Sequence, residues 1–274
     1  MTERFSMIQI GAGSMGGALL KSWVASDVLD LSRSAIIDPS PSDALITLCE
    51  AAGLALNPET DGDYDVCVLA VKPQVFGSVL PELDWPSFSE TLFISIAAGI
   101  STAEIAMLLK RGDGQPKILR TMPSLPALVG RSMTLLAENA GLSPVERQRG
   151  ESLMAAAGTV EWTKDEDQLD RLMGVSGCAP AFFLRAVEGL IDAAIAQGAS
   201  PETARRLAEE TFVGTAALLD KDTRMPGTIR EAVTSPGGTT AAGLAVLEER
   251  GFADAVVGAV EGAYQRAKEL RGGS

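Results

Sequence analysis

The chain has 274 residues, of which 46% are hydrophobic and 22% are charged, and its formal net charge is −13. This length suits one large domain or two ordinary domains with substantial cores. The acidic balance argues against nucleic acid as a partner. No apolar stretch approaches the roughly 20 residues that a membrane span needs, so we do not expect a membrane partner.

Histidine and cysteine usage narrows the chemistry further. The chain has no histidine, which excludes Ser-His-Asp hydrolysis, His-ligated zinc and a His general acid. Cys49, Cys67 and Cys178 are too widely spaced to form a metal-ligand pattern and are typical of a reducing compartment. We therefore expect a cytoplasmic protein without a metal site, whose reaction needs little acid–base help from side chains.

A glycine fingerprint follows the first β-leaning run, residues 8–10. It reads Gly11-x-Gly13-x-x-Gly16 and opens a helical pattern. Gly11 allows a tight turn, Gly13 lets a pyrophosphate approach the backbone, and Gly16 permits close packing of helix and strand. Because the motif follows a predicted strand and precedes a predicted helix, it predicts dinucleotide binding.

A second predicted strand, residues 34–37, ends at Asp38, where dinucleotide-binding folds place a residue that contacts ribose. The Asp38 carboxylate can accept hydrogen bonds from both ribose hydroxyls, which favours NADH. The same charge would repel the extra phosphate of NADPH. Arg33 precedes the strand rather than following it, so it offers no counter-charge at that end.

The first 157 residues alternate strand and helix patterns, which predicts a parallel sheet covered on both faces. Further strands are predicted at residues 65–71, 92–96, 117–120 and 132–136, with helices at residues 43–52, 102–109 and 143–157. From Gly158 onward the pattern becomes helical, with an interruption at residues 174–180 that predicts a helix break or a close backbone contact. We therefore predict an α/β fold with a dinucleotide-binding domain at residues 1–157 and an all-helical domain at residues 158–274.

A second ligand motif lies at residues 233–240, which read Val-Thr-Ser-Pro-Gly-Gly-Thr-Thr and run into an apolar-periodic helix. Unpaired N–H groups at a helix start can hold an anion, and Gly237 and Gly238 let a ligand approach the main chain. The plainer interpretation is a Ser or Thr helix cap after a glycine turn. The dinucleotide motif near the other end of the chain favours the anion site.

Together these motifs resemble the pyrroline-5-carboxylate reductase family, which catalyses the last step of proline synthesis. The resemblance covers nearly the whole chain, and residues 233–240 are its most specific part. The other matching segments are residues 11–16, 70–74, 95–100, 120–123 and 166–170. Two segments depart from the family pattern: Ser124-Leu125 stands where relatives usually have Asn-Thr, and Cys178-Ala179 where they usually have Ser-Gly.

The resemblance implies hydride transfer from NADH or NADPH to the C=N carbon of 1-pyrroline-5-carboxylate, which gives L-proline. Solvent can protonate a cyclic imine, so the protein mainly has to position two flat rings. The substrate-binding residues implied are Ser235, Gly237, Gly238, Thr239 and Thr240, which would hold the carboxylate. The Thr240 hydroxyl would also meet the ring nitrogen as the catalytic group, the alternative being a plain helix-start residue.

The implied cofactor site combines the fingerprint with loops that follow the predicted strands. Its residues are Gly11, Gly13, Ser14, Met15, Gly16, Asp38, Ser40, Ala70, Val71, Lys72, Pro73, Ala97, Ala98 and Gly99. Many relatives use NADPH, with hydroxyl residues such as Ser40 and Ser42 near its phosphate, so we predict dual use of NAD and NADP. Lys72 can instead be a solvated lysine before a turn.

Two other functions remain open at this point. One is a reductase of another cyclic imine or a keto acid, which the two departures suggest. The other is a non-catalytic nucleotide-sensing protein. The helical domain predicts a homodimer, because residues 193–196 and 255–260 are apolar around more than one helix face. A monomer with a thick helical core is the alternative, and a higher assembly of dimers is also open.

Overall fold

A computed structural model describes residues 4–59, 63–82, 90–109, 115–138 and 141–272. Strands and helices alternate through the first 162 residues. In chain order they are β1 (Met7–Ile10), α1 (Ser14–Ala25), β2 (Ala35–Ile37), α2 (Asp43–Ala52), β3 (Ala55–Leu56), β4 (Val66–Leu69), α3 (Phe76–Val79), β5 (Leu92–Ser95), α4 (Thr102–Leu108), β6 (Lys117–Met122), β7 (Ser132–Glu138), α5 (Pro144–Ala155) and β8 (Gly158–Trp162).

The eight strands form one sheet in the order β3-β2-β1-β4-β5-β6-β7-β8. Neighbouring strands are parallel except for β6 and β7, which are antiparallel. The order reverses between β1 and β4. In open parallel sheets a ligand binds outside the carboxyl ends of the strands at such a reversal. The topology therefore places the predicted dinucleotide site beside the glycine fingerprint.

Apolar residues cover both faces of the sheet, as the near-continuous hydrophobic strands predict. On one face Trp23 of α1 is fully buried and its indole N–H donates to the Leu153 carbonyl of α5 over 2.8 Å. On the other face Phe76 of α3 and Ile105 of α4 pack in a cluster with Ile8 and Phe93. The two layers fix the sheet between them.

The predicted domain boundary after residue 157 has to be corrected. Residues 158–162 form β8, which pairs in parallel with β7 and so belongs to the sheet. Two strands were missed, β3 and β8, because the first has only two residues and the second alternates without strong hydrophobicity. The chain divides into one compact unit of residues 1–178 and 261–274 and a second of residues 179–260.

The C-terminal part of the chain is helical, as predicted. Its helices are α6 (Glu166–Met173), α7 (Ala179–Ala196), α8 (Pro201–Lys221), α9 (Pro226–Ala232), α10 (Thr239–Glu249) and α11 (Phe252–Gly272). The predicted interruption is a π-helical turn, Gly174–Cys178, that leads directly into α7. Glycine and small residues tolerate this widened turn, so the chain changes helical geometry there without leaving the helix.

Large apolar side chains are exposed on several helices of the second unit, whose residues are all described. They include Phe183, Leu184 and Leu190 on α7, and Leu207, Val213 and Leu218 on α8. In residues 179–260 only Val187, Ala204, Ala208 and Ile229 are buried. A single chain therefore leaves much apolar helical surface without cover, which is the pattern of an interface between subunits.

We predict that a charge on this surface separates the subunits. Leu190→Asp combined with Val213→Asp places carboxylates at side chains that are 53% and 60% exposed in one chain. Burying them against a partner would cost several kcal/mol. Light scattering should give a dimer mass for the wild type and a monomer mass for the variant. Val145→Asp on α5, at a side chain that is 57% exposed, is the control and should stay dimeric.

Candidate functional site

The glycine fingerprint brings the ends of β1 and β4 into contact. Gly11 has a φ of +88°, and a Cβ there would lie 2.7 Å from Val71 Cγ1 and 3.0 Å from the Ala70 carbonyl oxygen. A Cβ on Gly16 would lie 2.8 Å from Gln9 Nε2, so this glycine lets α1 pack on β1. Gly13 caps α1, and an added Cβ would meet nothing within 4 Å. The space over Gly13 is therefore open to a ligand.

Asp38 ties two loops together at the carboxyl end of β2. Its Oδ2 accepts from the Ala12 N–H at 2.8 Å, and its Oδ1 accepts from the Ser40 N–H at 2.9 Å. The Asn57 side chain holds the Asp38 backbone through two further hydrogen bonds. Each carboxylate oxygen has a second lone pair, so Asp38 can still accept from ribose. Its role in holding the loops is not apparent from the sequence.

A cavity of about 610 Å³ lies beside the fingerprint and Asp38. This volume is typical of a small-molecule site. Its lining residues are Ala12, Gly13, Ser14, Gly17, Ala18, Lys21, Asp38, Ser40, Ser42, Ala44, Leu45, Leu48 and Leu128. Lys21 was missed by the sequence analysis. Its spacing from Ser14, Gly17 and Ala18 is that of one helix face, and this pattern is the signal that could have found it.

The loops after β4 and β5 begin at the carboxyl ends of their strands. These ends lie on the same side of the sheet as the fingerprint, because both strands are parallel to β1. They contain the predicted residues 70–73 and 97–99. The Ala70 N–H donates to the Ile10 carbonyl at 2.8 Å, which continues the pairing of β1 and β4. Lys72 is exposed and forms no ion pair with the described residues. Its ammonium group is available to an anionic ligand at this edge.

The second predicted motif forms a tight turn at the start of α10. Gly237 has a φ of +70°, the Gly238 N–H donates to the Ser235 carbonyl at 3.0 Å, and a Cβ on Gly238 would collide with the Ser235 hydroxyl. No side chain caps α10, and Ser235, Thr239 and Thr240 are exposed. The first N–H groups of α10 therefore have no side-chain acceptor, and exposed hydroxyls precede and follow Gly238 in the chain. This turn belongs to the second unit, and the fingerprint belongs to the first.

The described part of the chain holds no group of three or more metal-ligating side chains. Within the same residues, no helix has the length and apolar character needed to cross a bilayer.

Comparison with known proteins identifies the family. Residues 166–270 match a family model for pyrroline-5-carboxylate reductase dimerisation, and residues 7–99 match one described as NADP oxidoreductase, coenzyme F420-dependent. A pyrroline-5-carboxylate reductase of Synechocystis is 36% identical over 95% of this chain and 96% of its own length. One of Arabidopsis thaliana is 32% identical over 98% and 96%. The chain belongs to the pyrroline-5-carboxylate reductase family.

Solved structures give the same result. A pyrroline-5-carboxylate reductase from Coxiella burnetii superposes with a TM-score of 0.89 at 32% identity, covering 98% of this chain and 99% of its own. The Plasmodium falciparum protein, solved with NADP bound, has a TM-score of 0.82 at 27% identity, covering 99% and 100%. These matches confirm the predicted Rossmann-type domain and helical dimerisation domain.

The two departures from the family motifs have different local settings. Ser124 is buried in the connection from β6 to β7, where its hydroxyl accepts from the Met133 N–H at 3.1 Å and its N–H donates to Ser132 Oγ at 3.0 Å. The Ser124 side chain therefore stabilises the connection from β6 to β7. Cys178 ends the π-helical turn, and burial raises the pKa of its thiol. A thiol with a raised pKa is a poor nucleophile, which disfavours a chemical role for Cys178.

Two substitutions in the cavity should shift cofactor preference in opposite directions. Asp38→Asn removes a negative charge where the 2′-phosphate of NADPH would lie. We expect the ratio of kcat/KM for NADPH over NADH to rise about tenfold, or ~1.4 kcal/mol. Both absolute values should fall, because one loop N–H loses its acceptor.

Lys21→Ala is the matched partner of this variant. It removes the positive charge from the same cavity, so the same ratio should fall. Steady-state kinetics with both cofactors measure the two ratios. An unchanged ratio in Asp38→Asn would mean that this carboxylate does not face the ribose, whatever its effect on the loops.

Proposed function

We propose that the chain reduces 1-pyrroline-5-carboxylate to L-proline with NADH or NADPH, the last step of proline biosynthesis. The observation that carries this proposal is the family match over nearly the whole chain, at 30% identity or more with several relatives named pyrroline-5-carboxylate reductase. The open space at Gly13 and the uncapped start of α10 support a ligand at each of the two motifs.

The cofactor fits the open edge of the sheet. The absence of a side chain at Gly13 leaves room for the pyrophosphate, and the first N–H groups of α1, at Ser14 and Met15, would hold it. Asp38 and Ser40 would contact the adenosine ribose at the end of β2. Residues 70–73 and 97–99 would line the path of the nicotinamide half. When bound, the reduced nicotinamide supplies the hydride.

The substrate carboxylate would bind at the start of α10. The Ser235 hydroxyl and the N–H groups of Thr239 and Thr240 are the donors proposed for it. Gly237 and Gly238 would shape the turn, because the Gly238 N–H already donates to the Ser235 carbonyl. The partial positive charge at this helix start favours an anion. The Thr240 hydroxyl would meet the ring nitrogen, where it can stabilise the proton that solvent delivers to the imine.

The family match to a dimerisation model supports a homodimer that acts on a small molecule. We propose that residues 179–260 provide most of the contact between subunits, because their apolar side chains are exposed in one chain. A further assembly of dimers would build on the same unit. We also propose that the enzyme works in the cytoplasm, where reduced nicotinamides are available and free thiols such as those of its three cysteines persist.

A second candidate is reduction of a different cyclic imine or a keto acid. Leu125 and Ala179 favour it, because each replaces a residue that the family motif usually shows as polar or as glycine. A panel of cyclic imino acids of different ring size, with a keto acid included, separates the two reductases by their kcat/KM values. A non-catalytic sensor is disfavoured, since it has no need of the exposed turn at residues 235–240.

Purified protein should oxidise NADPH or NADH when pyrroline-5-carboxylate is added, at a rate proportional to enzyme concentration. Loss of absorbance of the reduced nicotinamide measures the reaction, and L-proline is quantified as product. Protein that binds either cofactor but forms no proline would contradict the proposed function.

Thr240→Ala should lower kcat while leaving the Kd of the cofactor within about twofold. The hydroxyl is proposed to act on the imine nitrogen, so its loss should cost roughly 1–3 kcal/mol of transition-state stabilisation. Thr240→Ser keeps the hydroxyl and is the control, which should retain most of the activity. Near wild-type kinetics for Thr240→Ala would show that the backbone N–H groups suffice.

A further inference from the structure

The loop that follows β5 packs against the last turn of α11. Gly99 in this loop is buried and has a φ of +75°. A Cβ added there would lie 3.0 Å from the Cβ of Leu270. Leu270 therefore occupies the space in which a side chain at position 99 would lie. The backbone of the loop rests on the helix at this point.

A cluster of charged side chains joins the start of α4, which follows the loop, to β6, which pairs with β5 before the loop. Arg120 on β6 is fully buried and is the register partner of Ser95, the residue before the loop. Its guanidinium lies 3.5 Å from Glu166 of α6. Glu166 in turn accepts from the Thr102 N–H at 3.0 Å, where α4 begins after the loop. Glu166 therefore links the start of α4 to β6, the strand that pairs with the strand before the loop.

Arg271, the neighbour of Leu270, joins the same cluster. Its guanidinium lies 2.7 Å from Asp170 Oδ2, and Asp170 Oδ1 lies 2.6 Å from Arg120 Nη2. Asp170 is fully buried, so its charge depends on both arginines. Tyr264, two turns before Arg271 on α11, donates to Asp167 of α6 at 2.9 Å. The end of α11 is therefore fastened to α6 and, through Asp170, to the strand beside the loop.

The strand order indicates which part of the cofactor this loop serves. The order reverses between β1 and β4, and the adenosine ribose lies toward β2 in folds of this kind. The nicotinamide half then extends over β4 and β5. Residues 97–99 follow β5, so the loop lies on the side where the hydride is transferred. This step rests on the function proposed above.

We propose that Leu270 and Arg271 are positioning residues for the nicotinamide half of the cofactor. Neither side chain touches a ligand in this proposal. They act by holding the loop at residues 97–99 in the shape that receives the ring. Leu270 and Arg271 lie in the last turn of α11, which belongs to the same unit as the loop.

The test compares ligands with and without the nicotinamide ring. Leu270→Ala and Arg271→Gln are titrated by calorimetry with NADH and with ADP-ribose, which lacks only that ring. If the wild type binds NADPH more tightly, NADPH and 2′-phospho-ADP-ribose replace them. We expect the Kd of the reduced cofactor to rise about fivefold to tenfold and the Kd of the ring-free ligand to stay within twofold.

Arg266→Ala is the control on the same helix. Its side chain is exposed and pairs with Glu269, one turn before Leu270, so neither Kd should change. Equal weakening of both ligands in Leu270→Ala would overturn the proposal, because it would indicate a general loss of structure. Unchanged binding of both ligands would overturn it as well. If Leu270→Ala does not fold, the same two titrations of Arg271→Gln test the proposal.

These titrations contain no substrate, so they stand apart from the proposed reaction. Wild-type protein that binds the reduced cofactor but makes no proline contradicts the proposed function. A ring-selective loss in the variants would still support the role of Leu270 and Arg271. Wild-type activity with no ring-selective loss leaves the reductase function intact and removes this inference.

Discussion

The close approach of β1 and β4 at Gly11 is the constraint on which the nucleotide site depends. Any side chain there would reach Val71 and the Ala70 carbonyl, and the positive φ is one that other residues rarely adopt. This approach opens the start of α1 at Gly13 and brings the Ala12 N–H to the Asp38 carboxylate. It also aligns the loops after β4 and β5 along one edge. The site is therefore set first by backbone packing, and side chains refine it.

Anionic ligands must bind this chain against its formal net charge of −13. Two helix starts, α1 after Gly13 and α10 after Gly238, lack a side-chain cap and present N–H groups. Their partial positive charge acts over one helical turn, whereas the repulsion of distant carboxylates is screened by salt. Local donors can thus outweigh the overall charge. Lys21, which lines the cavity beside Asp38, and Lys72, which is exposed after β4, add full positive charges near the carboxyl ends of the strands.

Buried charges serve a different purpose around the loop after β5. Arg120 and Asp170 are both fully buried, which is costly unless each keeps its partner. Their pairing, extended by Glu166 and Arg271, joins β6, α6, the start of α4 and the end of α11. These pairings can all form only when the four elements keep one arrangement, which is the physical basis of the proposed positioning of the loop.

Local patterns in the sequence determined most of the elements and the family. Strand runs, helix caps and the glycine fingerprint depend on neighbours within a few residues, so they can be read directly, and the resemblance at residues 233–240 pointed to the reaction class. The tertiary structure alone decided that β8 joins the sheet, that Asp38 holds Ala12, that Lys21 lines the cavity and that Leu270 lies on Gly99. Each of these contacts joins residues far apart in the chain or on different elements. Sequence periodicity reports which face of an element is apolar, but it does not report which distant element covers that face.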